Sequence, residues 1–172
     1  MYTEYNNILS KDEYNKCKSI INSSKWEYGH ASTKNSIYKF WILNLSNDIF
    51  FNTIFFQKIK KITKNNFEII KIHANGHTFG QEGDWHTDSL GENEWTFLYY
   101  FNEGDSSCIG ETYFIDDEKN TKSSIPIHNS AVLFKSNILH RGSSPKITFN
   151  DLRITIAFKL KKIENINNTK IF

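Results

Sequence analysis

The spacing of apolar positions changes partway along the chain, from a helical period in the first part to a strand period in the second. Ser10-Lys11-Asp12-Glu13 matches a capping box: the Ser10 hydroxyl accepts from the backbone N–H of Glu13, and the Glu13 carboxylate accepts from the backbone N–H of Ser10. Tyr14, Cys17, Ile20 and Ile21 then recur on one side of a helix that ends near Asn22-Ser23-Ser24. From Trp26 to Ser46 the pattern loosens into one or two strands, including Ile37 to Leu43, broken by Gly29 and polar clusters. A second helix fits 47–63, with Phe51, Ile54, Phe55, Ile59 and Ile62 as its apolar stripe and Lys60 and Lys64 opposite. Lys58 falls inside the stripe, so its stem must run along apolar surface to carry the ammonium to water.

Past Asn65-Asn66, strands are predicted over 67–73, 84–88, 95–102, 111–116, 124–127, 131–134 and 152–160, separated by turn clusters of Gly, Asn, Asp and Ser. Helices followed by many short strands predict a mainly β fold, a sheet folded over on itself as a jelly-roll sandwich or barrel and buttressed by the N-terminal helices. No linker or internal repeat divides the chain. The expectation is therefore one domain over 1–172, with helical support over about 1–66, a jelly-roll core over about 67–160 and a short polar tail over 161–172.

Composition narrows the function classes. Aromatic residues make up 15% of the chain, fourteen of them Phe, which implies a core packed by rings. A formal charge of +2 is too mild to argue for a nucleic-acid partner. The densest lysine runs, Lys58, Lys60, Lys61, Lys64 and Lys159, Lys161, Lys162, read as solvated faces. Cys17 and Cys108 are far apart and lack C-x-x-C spacing, so neither a disulfide framework nor a zinc knuckle is indicated, which fits a reducing compartment. The start, Met1-Tyr2-Thr3-Glu4, lacks a basic region followed by an apolar one, and no run approaches the ~18 apolar residues of a membrane span. A cytoplasmic protein with no membrane partner is expected.

The candidate chemistry centres on Trp85-His86-Thr87-Asp88 and on His140, 54 residues beyond His86. On an extended strand His86 and Asp88 share a face and form a chelating pair. A histidine from a distant strand would complete two imidazoles and one carboxylate on one side of a metal, with open positions opposite, the arrangement of non-haem Fe(II) oxygenases. H-x-D alone equally fits a hydrogen-bonded pair in a polar loop. His140 ends an apolar approach through Ala131-Val132-Leu133-Phe134 and Ile138-Leu139, which places it at a barrel rim. Arg153 opens a strand that puts Arg153, Thr155 and Ala157 on one face and Ile154, Ile156 and Phe158 on the other. A buried arginine needs an anionic partner, and its rigid fork suits a bidentate carboxylate, such as the far end of a dicarboxylate held by the metal. His30, His77 and His128 have no partner at chelating spacing and read as surface or packing residues.

Taken in order, His86-x-Asp88, Gly110-Glu111-Thr112, His140 and Arg153 resemble the Fe(II)/2-oxoglutarate-dependent dioxygenases, in particular the prolyl 4-hydroxylase-like branch, over roughly 67–160. Trp95 to Asn102 resembles the family's central strand, and Gly110-Glu111-Thr112 its G-G-E-T segment, with Ile109 in place of the first glycine. The resemblance implies a double-stranded β-helix with His86, Asp88 and His140 as iron ligands and Arg153 holding the distal carboxylate of 2-oxoglutarate. It further implies that Tyr100 hydrogen-bonds that carboxylate, that Leu98 and Thr155 line the co-substrate pocket, and that His73 stands where many relatives carry a tyrosine. Tyr99 should then face the opposite side of the sheet. The segment 74–83 is longer than in the shortest relatives and glycine-containing, which suggests a mobile flap. The implied activity couples hydroxylation of an unactivated C–H bond to decarboxylation of 2-oxoglutarate to succinate, using Fe(II) and O2, with ascorbate as an accessory reductant. Peptidyl proline in a protein or peptide is the leading substrate. A free amino acid or small metabolite is the near alternative, and a non-catalytic jelly-roll binding module is the alternative of another class.

Overall fold

The computed structural model of the protein describes residues 1–163. A seven-stranded antiparallel sheet runs in the order β1 (Tyr2–Tyr5), β8 (Ser130–Lys135), β5 (Glu94–Tyr100), β10 (Arg153–Lys162), β4 (Phe67–His77), β3 (Phe40–Asn44) and β2 (Glu27–His30). A smaller sheet of β7 (Thr121–Ser124), β6 (Thr112–Ile115) and β9 (His140–Gly142) folds over one face of it. This is the mainly β jelly roll that the strand pattern predicts. The helices are α1 (Lys11–Ser23), α2 (Phe56–Thr63) and the short α3 (Ser106–Ile109), which the sequence pattern did not predict.

The period-two pattern of β10 decides what each side of the large sheet does. Ile154, Ile156, Phe158 and Leu160 point toward the helices, where Phe55 packs against Phe158 at 4.9 Å and edge-on against Tyr99 at 5.1 Å between ring centroids. Ala157 faces the small sheet together with Leu98 and Tyr100, and Phe114 meets Phe134 there at 5.0 Å. Tyr99 and Tyr100 therefore lie on opposite faces, as expected.

Several boundaries differ from the sequence expectation. The segment 1–66 is not only helical support, because β1 pairs with β8 and β3 with β4, extending the main sheet at both edges. The predicted strand at 84–88 is irregular chain with one isolated bridge, and that at 124–127 lies three residues earlier. β4 continues to His77, so the first four residues of the proposed flap are paired strand. Lys161 and Lys162 end β10 rather than beginning a loose tail, and the rest of the predicted tail from 164 onward lies outside the described residues.

The second helix begins as a π-helical segment, Phe50–Phe55, before α2. Its buried positions Phe51, Phe55, Ile59 and Thr63 recur every four residues, a spacing that drifts around an ordinary helix of about 3.6 residues per turn and that a wider first turn brings back into line. Ile54, assigned to the stripe by a uniform period, is consequently 50% exposed. Lys58 meets Glu13 of the α1 capping box, joining the two helices as its snorkelling stem allows. The box itself forms, with the Ser10 N–H donating to Glu13 Oε2 at 2.6 Å. Ser10→Ala is expected to cost about 1 kcal/mol of stability, read as a lower urea midpoint at unchanged slope. An unchanged midpoint would mean that the cap contributes nothing.

Candidate active site

Backbone pairing, rather than strand alternation, assembles the histidines and Asp88. The His86 N–H donates to the His140 carbonyl at 3.0 Å and the His140 N–H to the His86 carbonyl at 2.9 Å, while the Asp88 N–H donates to the Ser136 carbonyl at 2.8 Å. His140 opens β9 and Ser136 follows β8, so the irregular 84–88 segment is tied at two points to the turn between those strands. The imidazole Nδ1 atoms lie 2.8 Å from the Asp84 carbonyl for His86 and 2.9 Å from the Ile138 carbonyl for His140. A carbonyl oxygen only accepts, so each Nδ1 carries a proton, and in the neutral ring that leaves the lone pair on Nε2. Those Nε2 atoms stand 3.5 Å (His86) and 3.6 Å (His140) from the Asp88 oxygens, and one ligand atom from each of the three residues lies within 4.8 Å of the others. Two oriented imidazoles and one carboxylate fit a first-row divalent metal. Burial, opposed by Asp88, holds the His140 imidazolium down at about 4, so its lone pair is available at neutral pH. Burial alone would raise the Asp88 carboxyl, but Lys159, His86 and His140 hold it well below the usual carboxylate range.

Arg153 is 1% exposed. Its Nε donates to the Gly110 carbonyl at 3.0 Å, and Nη2 reaches the Glu111 carbonyl and the Thr112 hydroxyl at 3.5 Å each. The carbonyl of Gly110 is aimed by a left-handed backbone (φ +92°), and a Cβ there would lie 2.6 Å from the Ser144 carbonyl, so only glycine fits. Among the described residues no carboxylate pairs with Arg153, and burial brings its guanidinium down to about 10. The Tyr100 hydroxyl is also buried, without a hydrogen-bond partner among the described residues. A buried cation that no carboxylate among the described residues balances is a strong demand for an anionic ligand, and a dicarboxylate fits it; Tyr100, expected to share that ligand, does not line the cavity that Arg153 does.

One cavity of about 390 Å³ contains both halves, lined by His86, Asp88, His140 and Arg153, with the expected Leu98, Thr155 and His73 also on its wall. His73 Nδ1 is buried without a partner among the described residues, and burial pushes its imidazolium down to about 3. His77, expected at the surface or in packing, is buried, stacks on Phe40 at 4.2 Å and lines the same cavity, as does His30. His128 is the packing residue expected, edge-on to Tyr14 at 4.6 Å. Trp85 is 37% exposed, with the Arg141 guanidinium 5.2 Å from its ring.

Lys159 is the main correction. Read as part of a solvated lysine face, it instead reaches into the cavity and makes direct contact with Asp88 Oδ2. The Thr96 hydroxyl donates to the same oxygen at 2.5 Å and lies 3.4 Å from the Lys159 ammonium. The signal was present in the sequence: extending the Arg153, Thr155, Ala157 alternation by two residues places Lys159 on the site face.

A profile of the 2OG-Fe(II) oxygenase superfamily matches residues 70–158, just over half of the chain. The chain belongs to this superfamily. Like its family it uses Fe(II), 2-oxoglutarate and O2, and the His86–Asp88–His140 cluster supplies a donor set suited to that iron. Comparison with curated proteins gives no match. Solved oxygenase structures share the fold at low identity. A prolyl hydroxylase from Trichoplax adhaerens, in complex with a peptide fragment of the hypoxia inducible factor oxygen degradation domain, superposes with a TM-score of 0.68 at 15% identity, covering 93% of this chain and 83% of that one. A Pseudomonas putida prolyl-4-hydroxylase gives 0.66 at 12% identity, covering 95% and 93%. HygX from Streptomyces hygroscopicus, with nickel, 2-oxoglutarate and hygromycin B bound, gives 0.67 at 9% identity, covering 93% and 82%. Ile109, which stands where the resemblance expects a glycine, is buried at the end of α3.

Proposed function

We propose that this oxygenase is a hydroxylase of peptidyl proline, with His86, Asp88 and His140 holding Fe(II) and Arg153 and Tyr100 holding the distal carboxylate of 2-oxoglutarate. The observation that carries the site assignment is the buried Arg153 guanidinium, without a carboxylate partner among the described residues, in the same cavity as the His–Asp–His cluster. Iron and co-substrate, when bound, supply the oxidative chemistry that turns a C–H bond into a C–OH while 2-oxoglutarate becomes succinate and carbon dioxide. The protein's own part is positional. The Asp84 and Ile138 carbonyls fix both imidazole tautomers, and Gly110 and Glu111 aim the guanidinium. Leu98 and Ala157 put apolar surface on a cavity wall that is otherwise lined mainly by polar side chains, Thr155 among them. Ascorbate is proposed as the accessory reductant.

The proline reading is supported by the motif order of the prolyl 4-hydroxylase-like branch and by the two prolyl hydroxylases among the structural neighbours. A second reading, a free amino acid or other small metabolite, is favoured by Lys71, which lines the cavity and has no acidic partner among the described residues. The test begins with protein purified without oxygen and then supplied with O2, Fe(II), ascorbate and 2-oxoglutarate. Succinate should form with the wild type and fall to background with Asp88→Ala. Proline-rich peptides should gain the mass of one oxygen. Succinate formation with oxygen gained only by free amino acids would replace the proline reading with the second, and succinate unaffected by Asp88→Ala would overturn the site itself.

A further inference from the structure

The Asp88 carboxylate divides its two oxygens between different partners. Oδ1 faces His86 Nε2 at 3.5 Å. Oδ2 faces His140 Nε2 at 3.6 Å, accepts from the Thr96 hydroxyl at 2.5 Å and is in contact with the Lys159 ammonium. Thr96 is itself anchored, 3.2 Å from the Ser136 hydroxyl. Ser136 is also the residue whose carbonyl receives the Asp88 N–H, so backbone and side chain of Asp88 are fixed from one point. The Lys159 side chain is only 20% exposed, and Asp88 is the only carboxylate it contacts among the described residues. A cation is thus built into the wall of a site whose ligand set is made for a cation. Such a charge has two consequences of the same sign. It stabilises the carboxylate when no metal is bound, and it repels a divalent ion once one is bound, all the more strongly in a partly buried, low-dielectric setting.

We propose that Lys159 is the resident counter-charge of the metal centre: it keeps Asp88 oriented in the metal-free protein, and it sets the affinity for the divalent ion below what the three ligands alone would give. Together with Thr96 it engages Oδ2, while Oδ1 contacts neither, which makes Lys159 a positioning residue rather than a catalytic one. The inference rests on the proposed assignment of His86, Asp88 and His140 as metal ligands.

Direct metal binding tests it without turnover. Full-length protein is titrated with Co(II) in competition with a chromogenic chelator, comparing wild type with Lys159→Met, Lys159→Gln, Lys159→Arg and Thr96→Val, each first checked for a cooperative thermal melt. The two neutral variants should bind Co(II) at least about tenfold more tightly than wild type, because a like charge has been removed. They should also melt at lower temperature when metal-free and recover more on metal addition. Lys159→Arg should keep wild-type affinity. Thr96→Val, which loses the hydrogen bond but keeps the charge, should not tighten binding. A lysine that served only packing would leave the affinity of the neutral variants unchanged, and one that served only orientation would see it weaken. Either result, with wild-type binding intact, overturns the counter-charge role alone. Absence of Co(II) binding by the wild type would overturn the ligand assignment and this inference with it. Should Lys159→Met fail to fold, Lys159→Gln, which retains a donor for Oδ2, decides the question by itself.

Discussion

Arg153→Met is expected to raise the 2-oxoglutarate concentration needed for binding by roughly a hundredfold or more, the scale of losing one partner from a buried, hydrogen-bonded charge pair (about 3–5 kcal/mol). The metal-free, co-substrate-free protein should respond quite differently. There the substitution removes hydrogen bonds to the Gly110 and Glu111 carbonyls, but it also removes a buried cation that no carboxylate among the described residues balances. The two effects oppose, so the ligand-free melting temperature should move little while the rise produced by 2-oxoglutarate with Mn(II) disappears. Arg153→Lys keeps a point charge without the planar fork and should recover only part of the affinity. Thermal melts across a 2-oxoglutarate titration read all three variants. Wild-type affinity in Arg153→Met would show that the guanidinium does not hold the co-substrate.

The metal-ligand candidates and Arg153 were legible in the sequence because they form short motifs in a fixed order, and their coming together is what the fold brought out. The reason they meet was not legible. The sequence argument put His86 and Asp88 on a strand, whereas the pair is held in irregular chain by backbone bonds to His140 and Ser136, contacts about fifty residues apart that no local pattern encodes. Gly76 misled in another way. As part of a glycine-containing stretch it read as loop, yet it lies inside β4, where a Cβ would come within 2.5 Å of the Leu152 side chain, so the glycine answers to packing rather than to a turn. The π-helical first turn left no composition signal, and it moved Ile54 from the core to the surface. Lys159 was legible in principle. Reading it as a member of a charge run hid the two-residue alternation that puts it beside Asp88. Tyr100 and His73 came only from the resemblance, since a tyrosine or histidine in an apolar strand carries no local mark of its role.

Acidification should destabilise the protein well above the range where carboxylates titrate. His73 and His77 are both held neutral, their imidazolium forms pushed down to about 3, first by burial and then by nearby cations: Lys159 and Lys71 for His73, Arg153 for His77. An unfolded histidine titrates near 6.5. Below that value the unfolded chain takes up protons that the folded protein refuses, so the stability these residues contribute is complete above about pH 6.5 and is lost progressively as pH falls toward 3. At pH 5 the loss from the pair comes to about 4 kcal/mol, a large share of the roughly 5–15 kcal/mol that stabilises a domain of this kind. Asp88 does not act in this window, because a carboxyl held low contributes its stability above its ordinary value of 3.8 and loses it only below that. The melting temperature should therefore fall clearly between pH 7 and pH 5, and replacing both histidines with asparagine should make the dependence shallower, leaving the share of His140, held at about 4. The slope should also be shallower with 2-oxoglutarate bound, since a carboxylate on Arg153 cancels the cation that helps to depress His77. A melting temperature equal at pH 7 and pH 5 in the wild type would mean that these imidazoles reach water, and that the cavity wall is looser than its packing indicates.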